Sequence, residues 1–319
     1  VSFSTQTKDE LAHIYTEKRC CQLAELAALV RMDGTIYISS EHKVGLQVTT
    51  ENAAVARKIF RLLKKVFALE PEIRVQRKTR LKKNNIYNVR LNPHPQMNSL
   101  LQELGILGED GSILPGIKKS LVKKQCCRRC YLRGIFLGAG SVNSPEGNYH
   151  LEIITSNLEY AEDLARLINS YEGLQAKVSS RKNWHLVYLK ESEQIVSFLN
   201  IIGAHQALLN FENVRIVKGM RNQVNRLVNC ETANLNKTVN ASLRQIENIK
   251  LIDDMIGIDK LSPRLRQIAR LRLENPDTSL KELGEMMDPP VGKSGVNHRI
   301  RKIEELAEEL RGRINTIKP

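Results

Sequence analysis

The sequence predicts an α+β fold: two αββαββα repeats followed by an all-α C-terminal domain. Three observations carry this. The segment 26–34, Leu-Ala-Ala-Leu-Val-Arg-Met-Asp-Gly, returns at 132–140 as Leu-Arg-Gly-Ile-Phe-Leu-Gly-Ala-Gly, at a constant offset of 106 residues. Each copy is followed by alternating apolar and polar runs, the period of half-buried strands. From about Gly203 the repeat gives way to a polar, helix-rich connector, and past residue 260 short helical segments with clear start and stop residues follow.

Taken in order, each motif segment reads as a helix. Strands are expected at Thr35–Ile38 and Leu46–Asn52 in the first half and at Leu151–Asn157 in the second. Helices follow, with apolar residues at 3.6-residue spacing: Ala56, Ile59, Phe60, Leu63 and Val66, then Ala161, Leu164, Ala165 and Ile168. Two strand pairs come next, Ile73–Thr79 with Ile86–Leu91 and Ala176–Ser179 with Trp184–Leu189. Their turns, Lys82-Lys83-Asn84-Asn85 and Arg181-Lys182-Asn183, are hairpin-like. Closing helices around Met97–Leu107 and Glu193–Ile202 end the two halves. The expected domains are 1–110, 111–215, a helical linker 216–260, and a C-terminal domain 261–319.

Small residues recur four apart on the motif helices, Ala24, Ala28 and Met32 against Cys130, Gly134 and Gly138. Such spacing lets two backbones approach closely. The copies are therefore expected to pack on each other about a pseudo-twofold axis, with Asp33 and Ala139 side by side at their C-terminal ends. Cys20 and Cys21 fall on Cys126 and Cys127 by the same offset. Cys127 and Cys130 have zinc-like spacing, and Cys20 or Cys21 could complete a site across the axis. Without a second Cys/His pair at finger distance, the cysteines read as small packing residues, and no metal or cofactor is expected.

Composition narrows the function classes. The chain is 41% hydrophobic, yet no apolar run approaches the roughly 20 residues of a membrane span. The first ten residues carry acids and no apolar core, so a signal peptide is not expected. Adjacent cysteines point to reduced thiols and a cytoplasmic chain. The net charge is +14. Residues 73–91 hold seven basic side chains and no acid, and so do residues 115–134. Charge this one-sided repels itself unless a phosphate backbone lies nearby. Few aromatics, 5% of residues, argue against single-strand stacking.

In the C-terminal domain Ser262-Pro263 reads as a helix start, with Ser as the cap, and Asn275-Pro276 as its end. Ser279-Leu280-Lys281-Glu282 is a capping box opening a short second helix. After Asp288-Pro289-Pro290-Val291-Gly292 a third helix begins near Lys293. Its apolar stripe Val296, Ile300, Ile303 and Leu306 leaves Ser294, Asn297, His298, Arg301 and Lys302 outside. Short helix, turn and longer helix describe a helix-turn-helix reader, in which Arg suits guanine and Asn suits adenine. Gly292-Lys293-Ser294 ends like a P-loop, but Met287 stands where the first glycine is required.

The duplicated motif resembles the single-chain LAGLIDADG homing endonucleases over about residues 20–205. The resemblance implies two four-stranded sheets forming a saddle over duplex DNA, with the eighth motif residue, here Asp33 and Ala139, holding the catalytic metals. Ala139 has no carboxylate, so the chain is expected to be no enzyme, Asp33 being vestigial. The degenerate repeat followed by Lys-Ser-Gly-Val-Asn-His-Arg is similar to the WhiA family along the whole chain. That similarity implies a DNA-binding transcription regulator of cell division and chromosome segregation, and of sporulation in some bacteria. It places the chain at the nucleoid and brings in a sigma factor of RNA polymerase, or another transcription factor, as a protein partner.

The expected DNA contacts are Ser279, Lys281, Lys293, Ser294, Asn297, His298, Arg299, Arg301 and Lys302 on the reader. On the saddle they are Arg74, Lys78, Arg80, Lys82, Lys83, Lys177, Arg181 and Lys182. With the duplication internal, a monomer suffices. The competing readings are an active or nicking endonuclease and a maturase-like RNA binder.

Overall fold

A computed structural model describes residues 2–38, 43–77 and 85–317, the side chains of 314–317 excepted. The chain divides into two compact units, Val1–Gly219 and Met220–Pro319.

The first unit contains the duplication. Its first half comprises α2 (Arg19–Asp33), β1 (Gly34–Ile38), β2 (Val44–Thr50), α3 (Ala53–Phe67), β3 (Glu72–Arg77), β4 (Asn85–Leu91) and α4 (Met97–Glu103). The second half repeats that order as α5 (Gln125–Ala139), β5 (Gly140–Val142), β6 (Leu151–Thr155), α6 (Leu158–Asn169), β7 (Lys177–Arg181), β8 (Trp184–Leu189) and α7 (Ser192–Ile202). Both sheets are antiparallel, and their strand orders correspond: β1-β2-β4-β3 and β5-β6-β8-β7. Local chemistry is duplicated too. Asn52 and Asn157 cap α3 and α6, each accepting backbone N–H bonds through its side-chain oxygen. Such caps are worth about 1 kcal/mol each.

Helices α2 and α5 pack as the small-residue spacing requires. A Cβ placed on Gly134 would lie 2.4 Å from the Glu25 carbonyl oxygen and 2.8 Å from the Ala28 Cβ. One on Gly138 would lie 2.8 Å from the Met32 Cβ. Across this seam runs a buried ion cluster invisible in the hydrophobic pattern. Glu25 accepts two 2.8 Å bonds from Arg133 and one of 2.7 Å from Lys58. Lys58 also donates to the carbonyls of Leu11 and Ile14, at 2.8 and 2.6 Å.

Leu11 belongs to, and Ile14 just follows, an element the periodicity did not mark: α1, Phe3–Ala12, capped by Ser2. It straps the halves together. Asp9 accepts from Asn52, and Ser4 accepts from the backbone of Val142. Glu10 accepts from the backbone N–H groups of Gln206 and Ala207, capping the start of α8 (His205–Ile256). Residues 216–256 of the segment expected as a linker lie within α8, and its last residues form the turn that follows.

The second unit contains the later part of α8, a 3₁₀ turn at Ile258–Lys260, α9 (Pro263–Glu274), α10 (Leu280–Glu285) and α11 (Lys293–Ile317). Ile249, Ile252, Ile268, Leu283, Val296, Ile300 and Ile303 form its core. The capping box of Ser279 and Glu282 is complete. Ser262 stands at the N-cap of α9, but its side chain makes no capping bond, so Pro263 alone marks that start. The α10–α11 turn requires Gly284, because a Cβ there would meet the Val291 carbonyl oxygen at 2.1 Å.

Gly134→Val should destabilise the first unit by about 3 kcal/mol, since the new methyls meet backbone that cannot yield. Chemical denaturation followed by circular dichroism measures it; an unchanged midpoint would mean that the helix seam is not close-packed in solution.

Candidate nucleic-acid interface

The motif helices end together, as the repeat requires. Asp33 and Ala139 are the last residues of α2 and α5. A cleft of about 740 Å³ opens there, lined by Ser4, Lys8, Asp33, Thr49, Asn52 and Ser141 among others. Its acids, Asp33 and Glu51, both come from the first half, while the second half contributes Leu137, Gly138, Gly140 and Ser141.

From α1, Lys8 reaches in and donates to the Gly138 carbonyl at 3.1 Å. Burial raises the Asp33 carboxyl to about 6, against which the Lys8 charge works in the lowering direction. The same burial lowers Lys8, partly offset by Asp33. A tethered ammonium thus shares the cleft with the surviving motif acid. No sequence signal marked Lys8, because α1 lacks an apolar stripe long enough to announce itself.

The polar face of the first sheet is ordered by its own side chains. Register aligns Gln47 with Arg90 and Thr49 with Asn88, and Asn88 in turn with Arg74. Thr49 donates to Asn88 at 2.9 Å, Gln47 to Asn88 at 3.3 Å, and Asn88 to Gln76 at 3.4 Å. Arg90 lies over the Tyr37 ring and donates to its hydroxyl at 2.7 Å. Arg74 is exposed beside Glu72. Lys78, Arg80, Lys82 and Lys83 lie outside the described residues.

The corresponding face of the second sheet is more apolar. Lys177 pairs in register with Tyr188, which is flanked by Glu152 on the next strand. Trp184 is 56% exposed opposite Arg181. Lys177, Arg181 and Lys182 are exposed at this edge, Lys182 with a φ of 53° in the turn.

The basic run 115–134 departs from the sequence expectation. Arg133 is buried against Glu25, Lys118 donates to the Gln102 carbonyl, Arg128 to that of Val122 and Arg129 to that of Ile201. Four of the seven cations are thus engaged within the fold, Arg133 alone with a carboxylate, while Lys119, Lys123 and Lys124 are exposed.

In the second unit, Lys293, Ser294, His298, Arg301 and Lys302 are exposed on the first turns of α11, and Asn297 is half-buried. Residues three and four apart on a helix share a face, so Ser294, Asn297, His298 and Arg301 make one strip. Arg299 is turned away from it and donates to the Met287 sulfur at 3.2 Å. Ser279 is committed to its cap, and Lys281 is exposed 3.9 Å from Glu285. Sequence reasoning passed over Arg272, which is buried and donates to the Thr278 carbonyl at 2.6 Å, fixing the loop into α10.

Three family models match the chain. They are the WhiA N-terminal LAGLIDADG-like domain at residues 19–107, the WhiA LAGLIDADG-like domain at 128–221 and the WhiA C-terminal HTH domain at 224–307. The chain belongs to the WhiA family. A WhiA relative from Desulfitobacterium hafniense (strain DSM 10664 / DCB-2), named a probable cell division protein, is 63% identical over 310 residues, covering 97% of this chain and 96% of its own. One of the same name from Desulforamulus reducens is 60% identical over 312 residues, covering 98% and 97%. The fold matches full-length WhiA from Thermatoga maritima with a TM-score of 0.57 and 24% identity, covering 97% of this chain and 99% of that one.

The raised Asp33 carboxyl has a sign that can be tested. Because the folded form holds its proton more tightly, stability is highest below the ordinary value of 3.8, falls as pH rises toward about 6, and is level above that. Asp33→Asn should remove this fall, read by urea denaturation across that range. In Lys8→Met the Asp33 carboxyl should titrate above 6 by carbon NMR, and a shift downward would show that Lys8 does not face it.

Proposed function

We propose that this WhiA-family chain is a non-catalytic, sequence-specific DNA-binding transcription regulator. Its context would be cell division and chromosome segregation, with sporulation in some bacteria. The strip Ser294, Asn297, His298 and Arg301, with Lys293 and Lys302 beside it, is the observation that carries the reading. It offers a guanidinium and an amide for base edges and ammonium groups for phosphates, at the start of the second helix of a helix-turn-helix. Arg74 on the first sheet, with the basic residues Lys78, Arg80, Lys82 and Lys83, would add sequence-independent grip, and Lys177, Arg181 and Lys182 would contribute less. On this reading the chain acts at the nucleoid on duplex DNA, with a sigma factor or another transcription factor as a protein partner.

Loss of cleavage is part of the same proposal. In-line displacement by divalent ions needs carboxylate oxygens on both sides of the axis. Ala139 supplies none, and the Lys8 ammonium lowers the attraction of the cleft for a second cation.

The test is selection from randomised duplex DNA with and without Mg²⁺. An enriched, uncut sequence is expected; discrete Mg²⁺-dependent cuts lost in Asp33→Asn would restore the nuclease reading. Arg301→Ala should cost about 1–3 kcal/mol on the selected sequence and relax its choice at one position. Equal weakening on every sequence would make Arg301 a phosphate contact. Lys82→Ala with Lys83→Ala should weaken all duplexes alike and flatten the log–log salt slope by about 0.9 per lost phosphate contact. If neither changes, the first unit does not touch DNA.

A further inference from the structure

At the opposite end of the helix pair from Asp33, the N-termini of α2 and α5 bring four thiols together. The Sγ atoms of Cys20, Cys21, Cys126 and Cys127 all lie within 4.8 Å of one another. Two belong to each repeat, and the constant offset pairs Cys20 with Cys126 and Cys21 with Cys127, so the pseudo-twofold axis that relates the helices also relates the ligands. Cys130, the partner suggested by the two-residue spacing after Cys127, is not in this group; its sulfur accepts from Arg133 instead. The within-repeat pair Cys126 and Cys127 has its sulfurs 4.0 Å apart.

We propose that Cys20, Cys21, Cys126 and Cys127 form a tetrahedral Zn²⁺ site that ties the two repeats together. A regular tetrahedron with Zn–S bonds of about 2.3 Å has sulfur–sulfur edges of about 3.8 Å, so closure requires movements of about 1 Å or less. The separation also selects the guest. A multi-iron cluster keeps its cysteines farther apart, because irons and sulfides lie between them, whereas a single thiophilic ion fits.

The surroundings suit the charge. Four thiolates around Zn²⁺ make a dianion, the thiol protons leaving to solvent on binding. It would sit at the positive ends of two 15-residue helices, where an anion is favoured. Neither helix has a side-chain cap; the N-cap residues are Lys18 and Lys124, themselves cationic. Two buried and two half-buried sulfurs give an ion a dry floor and a path of entry.

The full chain, purified under reducing conditions without chelator and then dialysed against a weak chelator, should retain one zinc per chain by elemental analysis. Co²⁺ added to stripped protein should give the intense visible bands and thiolate charge-transfer absorption of a tetrahedral sulfur site. Cys20→Ser with Cys126→Ser should abolish both, and Cys130→Ser with Cys230→Ser should abolish neither. If the first double variant fails to fold, the cobalt spectrum and zinc content of the unaltered chain still decide. Retention of iron instead, metal lost entirely to the weak chelator as an adventitious ion, absence of the cobalt bands, or a mass showing disulfides between the repeats would each overturn the assignment.

Discussion

The contact on which the first unit depends is the backbone-to-backbone approach of α2 and α5. Gly134 against the Glu25 carbonyl, and Gly138 against Met32, leave no room for a side chain. Once two 15-residue helices are held that close about a pseudo-twofold axis, much of the remaining geometry follows. Both C-terminal ends converge on one cleft and both N-terminal ends on the thiols. The strand leaving each helix starts its own sheet, which is why the two strand orders correspond. A helix of that length spans about 22 Å, so the two ends are separate chemical environments joined by one rigid seam.

A seam of small residues fixes distance but not rotation or register. The buried cluster of Glu25, Arg133 and Lys58 supplies both, because it joins one half to the other and both to α1. Burying these charges costs several kcal/mol per ion, and the attraction between them offsets that only where geometry and hydrogen bonding are complete. Here Glu25 meets two cations, and Lys58 spends its other protons on carbonyls at the end of α1. The strap that completes this cluster also carries Lys8 into the cleft. An ammonium can neutralise Asp33 as a metal ion does, but it holds no water and cannot activate a nucleophile as a divalent ion does.

The repeat, the sheets and the small-residue seam were legible because each follows from periodicity or from a fixed offset. Strand ends moved by a residue or two, β3 running Glu72–Arg77 against an expected start at Ile73, since frayed ends carry little pattern. The helix α1 was not legible: Leu11 and Ala12 are buried, but Lys8, Asp9 and Glu10 around them spend their charge on distant partners. Glu25 lies one residue before the first motif copy and Arg133 inside the second, where the sequence was read for small-residue packing and for charge but not for an ion pair across the axis. In the second unit, the faces of α11 followed from helical spacing, yet Arg299 turned toward Met287 because its position borders the core. For the cysteines, the two-residue spacing drew attention to Cys127 and Cys130, whereas the sulfurs that meet across the axis are those of the two adjacent pairs.

Counting charge overstates the electrostatic footprint of this chain. Of the basic residues between 115 and 134, Lys118, Arg128, Arg129 and Arg133 are engaged with carbonyls or with Glu25, and Arg272 in the second unit is buried over a loop. Arg90 is held over Tyr37. Among the described residues, exposed cations remain at Arg74 and Arg77 of the first sheet, at Lys177, Arg181 and Lys182 of the second and on the first turns of α11, but also at Lys119, Lys123 and Lys124 and along α8 at Arg221, Arg226, Lys237 and Arg244. Beside these cations the first sheet offers contacts set by position as well as by charge. The ordered row of Gln47, Thr49, Asn88 and Gln76 adds to that, because side chains already hydrogen-bonded to one another lose less entropy when a partner arrives.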